Sequence, residues 1–137
     1  MITYTFDKIF NKEQVQQLFL SINWESGNYP NRLYKALLKS ETVVTAWDND
    51  RLVGLARALD DGGMLAYIHY VITDPSYRRQ GIARNMINMI KDKYKDYLYI
   101  KVIPATVEAE KFYNSIGFAV SHHGIAQEIK NEGIEDI

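Results

Sequence analysis

Leu65-Ala66-Tyr67-Ile68-His69-Tyr70-Val71-Ile72, a break at Asp74-Pro75, and then Arg78-Arg79-Gln80-Gly81-Ile82-Ala83-Arg84 form the stretch on which the fold turns. The first run is rich in β-branched and aromatic residues and reads as a buried strand. After the break, Ile82, Ala83, Met86, Ile87, Ile90 and Tyr94 recur at helical spacing, while Arg84, Asn85, Lys91, Asp92 and Lys95 fall elsewhere. This predicts a helix packed on a sheet. A loop passing directly from strand to helix directs unpaired backbone N–H groups outward, and the helix dipole adds partial positive charge there. An anion such as a phosphate is therefore favoured at the junction. Gly81 allows a tight turn and close approach of the backbone, and Ala83 keeps the first helical turn small.

Working outward, Tyr97 to Ile103 is an apolar-rich strand that ends at Pro104. Thr106 then caps a short helix with Ala109, Phe112, Tyr113 and Ile116 on its core face, and Gly117 stops it. Upstream, Ile2 to Phe6 alternates like a strand. Asn11 caps a helix, with Gln14 three residues on and Val15, Leu18, Phe19 and Ile22 as its stripe. A second helix opens near Pro30 and is expected to bury Leu33, Tyr34, Leu37 and Leu38. Thr42 to Trp47 and Leu52 to Leu59 flank a hairpin turn at Asp48-Asn49-Asp50-Arg51, and the strand after Gly62-Gly63 pairs next. The tail from Lys130 to Ile137 is Glu-rich and Gly-broken, and is expected to fray. The predicted order, β-α-α-β-β-β-α-β-α-β, describes an α/β (α+β) fold: a mixed sheet with helices on both faces.

The chain has 137 residues, enough for one domain (1–137) with a substantial core and no need of metal or disulfide support. Its formal net charge is −1, with both signs interspersed, so the electrostatic footprint of nucleic acid or an anionic membrane is missing. There is no cysteine, which excludes disulfides, Cys-ligated zinc and any covalent cysteine intermediate on this chain. The first eight residues lack a signal-peptide apolar block and no run approaches membrane-spanning length, so the expectation is a soluble cytoplasmic protein. His122 and His123 are adjacent and would point to opposite faces of a strand, a poor arrangement for chelation, so no metal is expected.

Arg78-x-x-Gly81-x-Ala83 resembles the Gln/Arg-x-x-Gly-x-Gly/Ala signature of the GNAT superfamily of acyl-CoA-dependent N-acyltransferases. Ala109-x-x-Phe112-Tyr113-x-x-x-Gly117-Phe118 resembles the family's later helix with its Tyr and Gly-Phe ending, in the family's order and at its separation. Leu52-Val53-Gly54-Leu55-Ala56-Arg57, followed by Asp61-Gly62, is similar to the strand and turn of small bacterial members. The likeness spans roughly residues 52 to 118. It implies a largely antiparallel sheet whose central strands, ending near Ile72 and starting near Tyr97, splay apart. The pantetheine arm of acetyl-CoA would lie in that cleft, along Val71 and Ile72. The pyrophosphate would be held by Arg78, Arg79, Gln80, Gly81, Ile82, Ala83 and Arg84, and no metal is needed.

N-acetylation needs a neutral amine, a polarised thioester carbonyl and a proton for the thiolate. A free alkylamine has a pKa near about 10.4, so its neutral form lies about 4 to 5 kcal/mol uphill at pH 7. By the resemblance, Tyr113 stands at the general-acid position, and a backbone N–H near Val71 polarises the carbonyl. Tyr67 stands where several relatives carry a catalytic Glu, and Thr106 where many carry a coenzyme-contacting Asn, two departures from the pattern. Tyr67 and His69 share one strand face with Val71 following them, and Tyr70 faces the other way. His69, with an ordinary pKa of about 6.5, is the candidate proton relay, against the alternative of a hydrogen-bonded strand histidine.

The resemblance also implies an acceptor wall built by the first two helices, with Trp24, Tyr29, Tyr34 and Trp47 as its candidates, although core packing is the better account of Tyr34 and Trp47. Asp60 and Asp61 would attract a cationic amine or simply form the turn before Gly62-Gly63. The acceptor is a small-molecule amine or a protein lysine, and oligomeric state stays open, a homodimer included. The competing reading is a catalytically weak acyl-CoA-binding or regulatory module.

Overall fold

The computed structural model describes residues 1–121 and 126–137. Among them, five strands make one sheet in the order β1 (Ile2–Thr5), β2 (Thr42–Asp48), β3 (Arg51–Asp60), β4 (Leu65–Thr73), β5 (Tyr99–Val102). The first three pairings are antiparallel and β4 with β5 is parallel. Helices α1 (Lys12–Leu20) and α2 (Pro30–Lys39) cover one face, and α3 (Ile82–Lys93) and α4 (Val107–Ser115) the other. The strand expected after α4 is not found among the described residues, and the pair His122 and His123 lies outside them.

Local chemistry places these elements where the pattern predicts. Asn11 Oδ1 accepts from Gln14 N at 2.8 Å and Gln14 Oε1 accepts from Asn11 N at 2.9 Å, a reciprocal capping box opening α1. Pro30 starts α2, and Thr106 Oγ1 accepts from Ala109 N at 3.0 Å to start α4. The β2–β3 turn places Asn49 in the left-handed region, φ 52°, which Asn tolerates well.

Two corrections concern α2 and the tail. Leu33 and Leu37, one turn apart, face the sheet, which turns Leu38 outward to 41 % exposure. The tail does not fray: Asp136 Oδ1 accepts from Arg32 N at 2.8 Å and Oδ2 from Asn31 N at 3.2 Å. Tyr29, which precedes α2, offers no side-chain cap, so this carboxylate satisfies orphan amides of the first turn and complements the dipole.

The core lies in two layers. Val44, Ala46, Val53, Ala56, Ala66 and Ile68 meet α3 and α4 on one side. Val43, Trp47, Leu52, Leu55 and Ile72 meet α1 and α2 on the other. Helix α3 rides close to the strands because Gly54 lies beneath it. A Cβ at Gly54 would stand 2.8 Å from Ile82 Cγ2, 3.1 Å from Ala46 Cβ and 3.2 Å from Met86 Cε. Gly54→Val is therefore expected to lower stability by about 1–3 kcal/mol through overpacking. The check is a urea midpoint shifted down at unchanged m-value.

Candidate acyl-transfer site

The anion-binding loop is set by the end of β4. Asp74 N donates to Val53 O at 2.8 Å, Asp74 Oδ1 accepts from Ser76 N, and Arg51 Nη2 pairs with Asp74 Oδ2 at 2.9 Å. A 3-10 turn, Pro75–Tyr77, comes next, and Tyr77 Oη donates to Asp48 Oδ2 at 2.5 Å. These contacts tie the loop entrance to the β2–β3 hairpin. Arg79 and Gly81 then both adopt left-handed conformations, φ 66° and 77°, before α3 begins. No side chain caps that helix, and its first bond within the helix, Asn85 N to Gly81 O, is 2.9 Å. The amides of Ile82, Ala83 and Arg84 thus open outward beside exposed Arg78, Arg79 and Gln80. A Cβ at Gly81 would meet nothing within 4 Å, so glycine serves conformation and close ligand approach rather than protein packing. These residues fit a pyrophosphate.

Next to that loop, the sheet opens. The β4–β5 register runs Leu65↔Tyr99, Ala66↔Ile100, Tyr67↔Lys101, Ile68↔Val102 and stops, so the rest of β4 has no strand partner on that edge among the described residues. Across β3 the pairing passes from Arg57↔His69 to Leu55↔Ile72, leaving Ala56 against both Tyr70 and Val71. This is a β-bulge, and Tyr70 carries it with φ 60°. The expected facing is corrected here. With one extra residue in the strand, Tyr70 turns to the α1/α2 side with Tyr67 and His69, and Val71 turns to the α3/α4 core. Strict alternation does not survive a bulge.

On the α1/α2 side the bulge gathers an aromatic and basic cluster. The rings of His69 and Tyr70 lie 4.0 Å apart, those of Tyr67 and His69 5.9 Å. Tyr70 meets Phe19 edge-on at 4.8 Å and Trp24 at 6.1 Å, and shares a 2.6 Å hydrogen bond with Ser26 Oγ. Arg57 Cζ stands 4.5 Å above the Tyr70 ring, and Arg57 Nη2 donates to His69 Nδ1 at 2.8 Å. A guanidinium only donates, so Nδ1 must accept and the neutral imidazole carries its proton on Nε2. Burial, and then the adjacent Arg57 charge, push the His69 pKa down to about 4. His69 is thereby neutral at pH 7, with Nδ1 taken by Arg57 and the Nε2–H left to donate.

Tyr113 lies 6 % exposed between Phe112 and Phe118, ring centroids at 5.2 and 5.6 Å, and burial pushes its phenol up to about 12. It stays protonated at any working pH. Trp24 and Tyr29 flank the 3-10 turn Glu25–Asn28 between α1 and α2, with Trp24 half-buried and packed on Phe19. Trp47 is core, donating Nε1 to Thr45 Oγ1 at 2.8 Å, and Tyr34 packs on Phe10. Asp61 Oδ1 accepts from the amides of Gly63, Met64 and Leu65 at 3.1, 2.8 and 3.0 Å, and Asp60 holds Tyr94 and Tyr97. Both carboxylates are committed to structure. Val71 and Ile72 lie at the open edge, and Thr106 is engaged as the α4 cap. Local sequence does not mark Arg57 and Tyr70 as functional residues. The available signal was a lone cation within the apolar run Leu52 to Leu59.

An outward amide cradle at a helix start, beside parallel strands that part next to a bulge, matches the acyltransferase layout that the motif resemblance implies. The sequence profile of the acetyltransferase (GNAT) domain matches residues 6–137, and the chain belongs to that family of acetyltransferases. The uncharacterised N-acetyltransferase ycf52 of Pyropia yezoensis is 26 % identical over 126 residues, covering 87 % of this chain and 71 % of that one. A GNAT family acetyltransferase from Streptococcus pneumoniae superimposes with TM-score 0.82 at 27 % identity, over 97 % of this chain and all of the other (100 %). A probable acetyltransferase from meticillin-resistant Staphylococcus aureus gives 0.85 at 26 % identity, over 96 % and 100 %. Among the described residues no helix is long and apolar enough to cross a membrane.

Because the fold lowers the His69 pKa, it favours the neutral imidazole. The resulting contribution to stability is present above pH 6.5 and is lost as pH falls through about 4. His69→Gln, which keeps an acceptor for Arg57, is expected to flatten the loss of stability across that window. Imidazole nitrogen NMR is expected to show His69 protonated on Nε2 alone at pH 7, with a midpoint near 4.

Proposed function

We propose that the protein transfers an acetyl group from acetyl-CoA directly to a primary amine. The observation that carries this reading is the coincidence of the uncapped α3 N-terminus with the open β4 edge at the Tyr70 bulge. Acetyl-CoA, when bound, supplies an activated thioester and a thiolate leaving group.

The chain's own residues divide the remaining work. Amides of Gly81 to Arg84 and the side chains of Arg78 and Arg79 hold the pyrophosphate, and the open edge of β4 hydrogen-bonds the pantetheine arm as a further strand would. A backbone N–H at the bulge polarises the acetyl carbonyl, a preorganised donor worth a few kcal/mol. Tyr113 would serve the sulfur, as the motif resemblance implies. With its phenol near 12 against about 8.5 for a thiol, complete proton transfer is uphill. Tyr113 therefore donates a hydrogen bond to the departing thiolate, which a thiolate tolerates because it is a weak base.

The amine proton leaves through water, since Tyr67 stands in place of a Glu and His69 is held as a donor. Trp24, Tyr29 and Tyr67 bound the acceptor and exclude bulk water on the α1/α2 side.

Thiol release from acetyl-CoA, read with a thiol reagent across an amine panel, tests the reading directly, and the absence of cysteine keeps the protein silent in the assay. Tyr113→Phe is expected to lower kcat by well over tenfold with acetyl-CoA affinity unchanged. Gly81→Glu, adding charge and a side chain at φ 77°, is expected to abolish coenzyme binding by calorimetry while the protein stays folded. Coenzyme binding without amine-dependent release from any acceptor would favour the noncatalytic acyl-CoA-binding module instead.

A further inference from the structure

Arg57 sits on β3 in the middle of the acceptor side, and no acid among the described residues answers its charge. Its Nη2 donates to neutral His69 and its Nη1 reaches Ser40 Oγ only at 3.4 Å, while its Nε–H is buried without any partner. Among the described residues the ion pairs are Arg51 with Asp74 and Lys130 with Glu25 and Glu132, and none involves Arg57. The acidic groups close enough to act on it are the phenols of Tyr70 and Tyr67, and a tyrosine phenol is uncharged at pH 7. Nearby Lys8 adds further positive charge, donating Nζ to Leu38 O and Ser40 O. A half-buried guanidinium among neutral partners is costly, and its buried Nε–H has nothing to donate to. Such an uncompensated group in a cleft is a candidate for completion by a ligand.

We propose that Arg57 receives a carboxylate carried by the acceptor, so that the physiological acceptor is an amino acid or a similar carboxylated amine. The inference rests on the transferase reading and adds the acceptor's class to it. A planar guanidinium with free N–H groups matches a carboxylate fork, and one carboxylate neutralises one buried charge. The site also selects against the opposite class. Polycationic amines would bring further positive charge beside an uncompensated guanidinium and are disfavoured. Arg57 takes no part in the bond changes and acts as a specificity residue, placing the carboxylate while the amine points toward the bulge beside it.

The test compares matched acceptors that differ only by the carboxylate: glycine with methylamine, tyrosine with tyramine, ornithine with putrescine, and γ-aminobutyrate with propylamine. With acetyl-CoA saturating, the carboxylated member of at least one pair is expected to be favoured by tenfold or more in kcat/KM. In Arg57→Gln that preference collapses: the carboxylated member loses tenfold or more in kcat/KM relative to its uncarboxylated partner, chiefly through a raised KM, over and above any change the two members share. Equal loss for both members of each pair, or preference for the uncarboxylated amine in the unaltered enzyme, overturns the proposal. Arg57→Lys, which keeps charge but not the fork, serves if the glutamine variant does not fold, and is expected to recover only part of the preference.

A second readout does not need turnover. The Arg57 Nε–H resonance is expected to shift on titration with N-acetylglycine, N-acetyltyrosine or N-acetylornithine in the presence of coenzyme A, and not with N-acetyltyramine. No amine-dependent thiol release with a carboxylate-specific shift would sink the transferase reading and leave the carboxylate site standing. Release without carboxylate preference and without the shift would do the reverse.

Discussion

One residue out of alternation in β4 organises the functional half of the molecule. Tyr70 occupies the left-handed region, φ 60°, where a bulky side chain costs roughly 1–3 kcal/mol. Its neighbours over-determine that state: Phe19 and Trp24 enclose the ring, Ser26 binds its hydroxyl and Arg57 lies on its face. The bulge re-aims the residues after it. Ile72 returns to the α1/α2 layer, Val71 passes to the α3/α4 layer, and β4 diverges from β5 directly after Ile68. Cleft, bulge amide and aromatic wall all depend on the same strained residue.

Charge is distributed just as unevenly. The acids near the site serve architecture: Asp74 anchors the exit of β4, Asp61 the hairpin into it, Asp60 the phenols of Tyr94 and Tyr97, and Asp136 the start of α2. What remains for ligands is positive, the α3 amides with Arg78 and Arg79 on one side of the cleft and Arg57 on the other. His69, Tyr67 and Tyr113 are all neutral at pH 7: burial pushes the His69 pKa down, and phenols are uncharged there even before burial pushes theirs up. Such a site suits a neutral amine and an anionic coenzyme.

The two helical layers have distinct duties. On one face α3 must lie close to the sheet for its N-terminus to meet the open β4 edge, and Gly54 opposite Ala46 provides the clearance. On the other face α1, α2 and the turn between them form a wall whose inner surface is aromatic. The tail closes back on this wall through Asp136, and Lys130 reaches Glu25 in the same turn. The wall is therefore fastened from both directions along the chain, by the capping box of α1 and by the last residues.

Much of the fold was legible in the chain because its signals are local. Apolar periodicity, Asn11 with Gln14, Pro30 at a helix start and Thr106 before α4 specify elements from neighbouring residues alone, and Arg78 to Ala83 announces a phosphate-binding turn by composition and place. Leu38 and the tail depart from the local pattern because their environment is set by elements remote in sequence: α2's register on the sheet, and a helix N-terminus lacking its own cap. The bulge was invisible for the same reason. Nothing in Tyr67-Ile68-His69-Tyr70-Val71 departs from strand alternation, and the choice is made by partners on β3, α1 and the α1–α2 turn. By itself, then, the sequence determined the elements, their order and the anion-binding loop, whose physics needs only consecutive amides. The tertiary structure alone decided that His69 accepts from Arg57 at Nδ1 and keeps its proton on Nε2, that Tyr70 joins the α1/α2 side and that Arg57 stands uncompensated, because protonation and facing depend on groups brought together across the sheet.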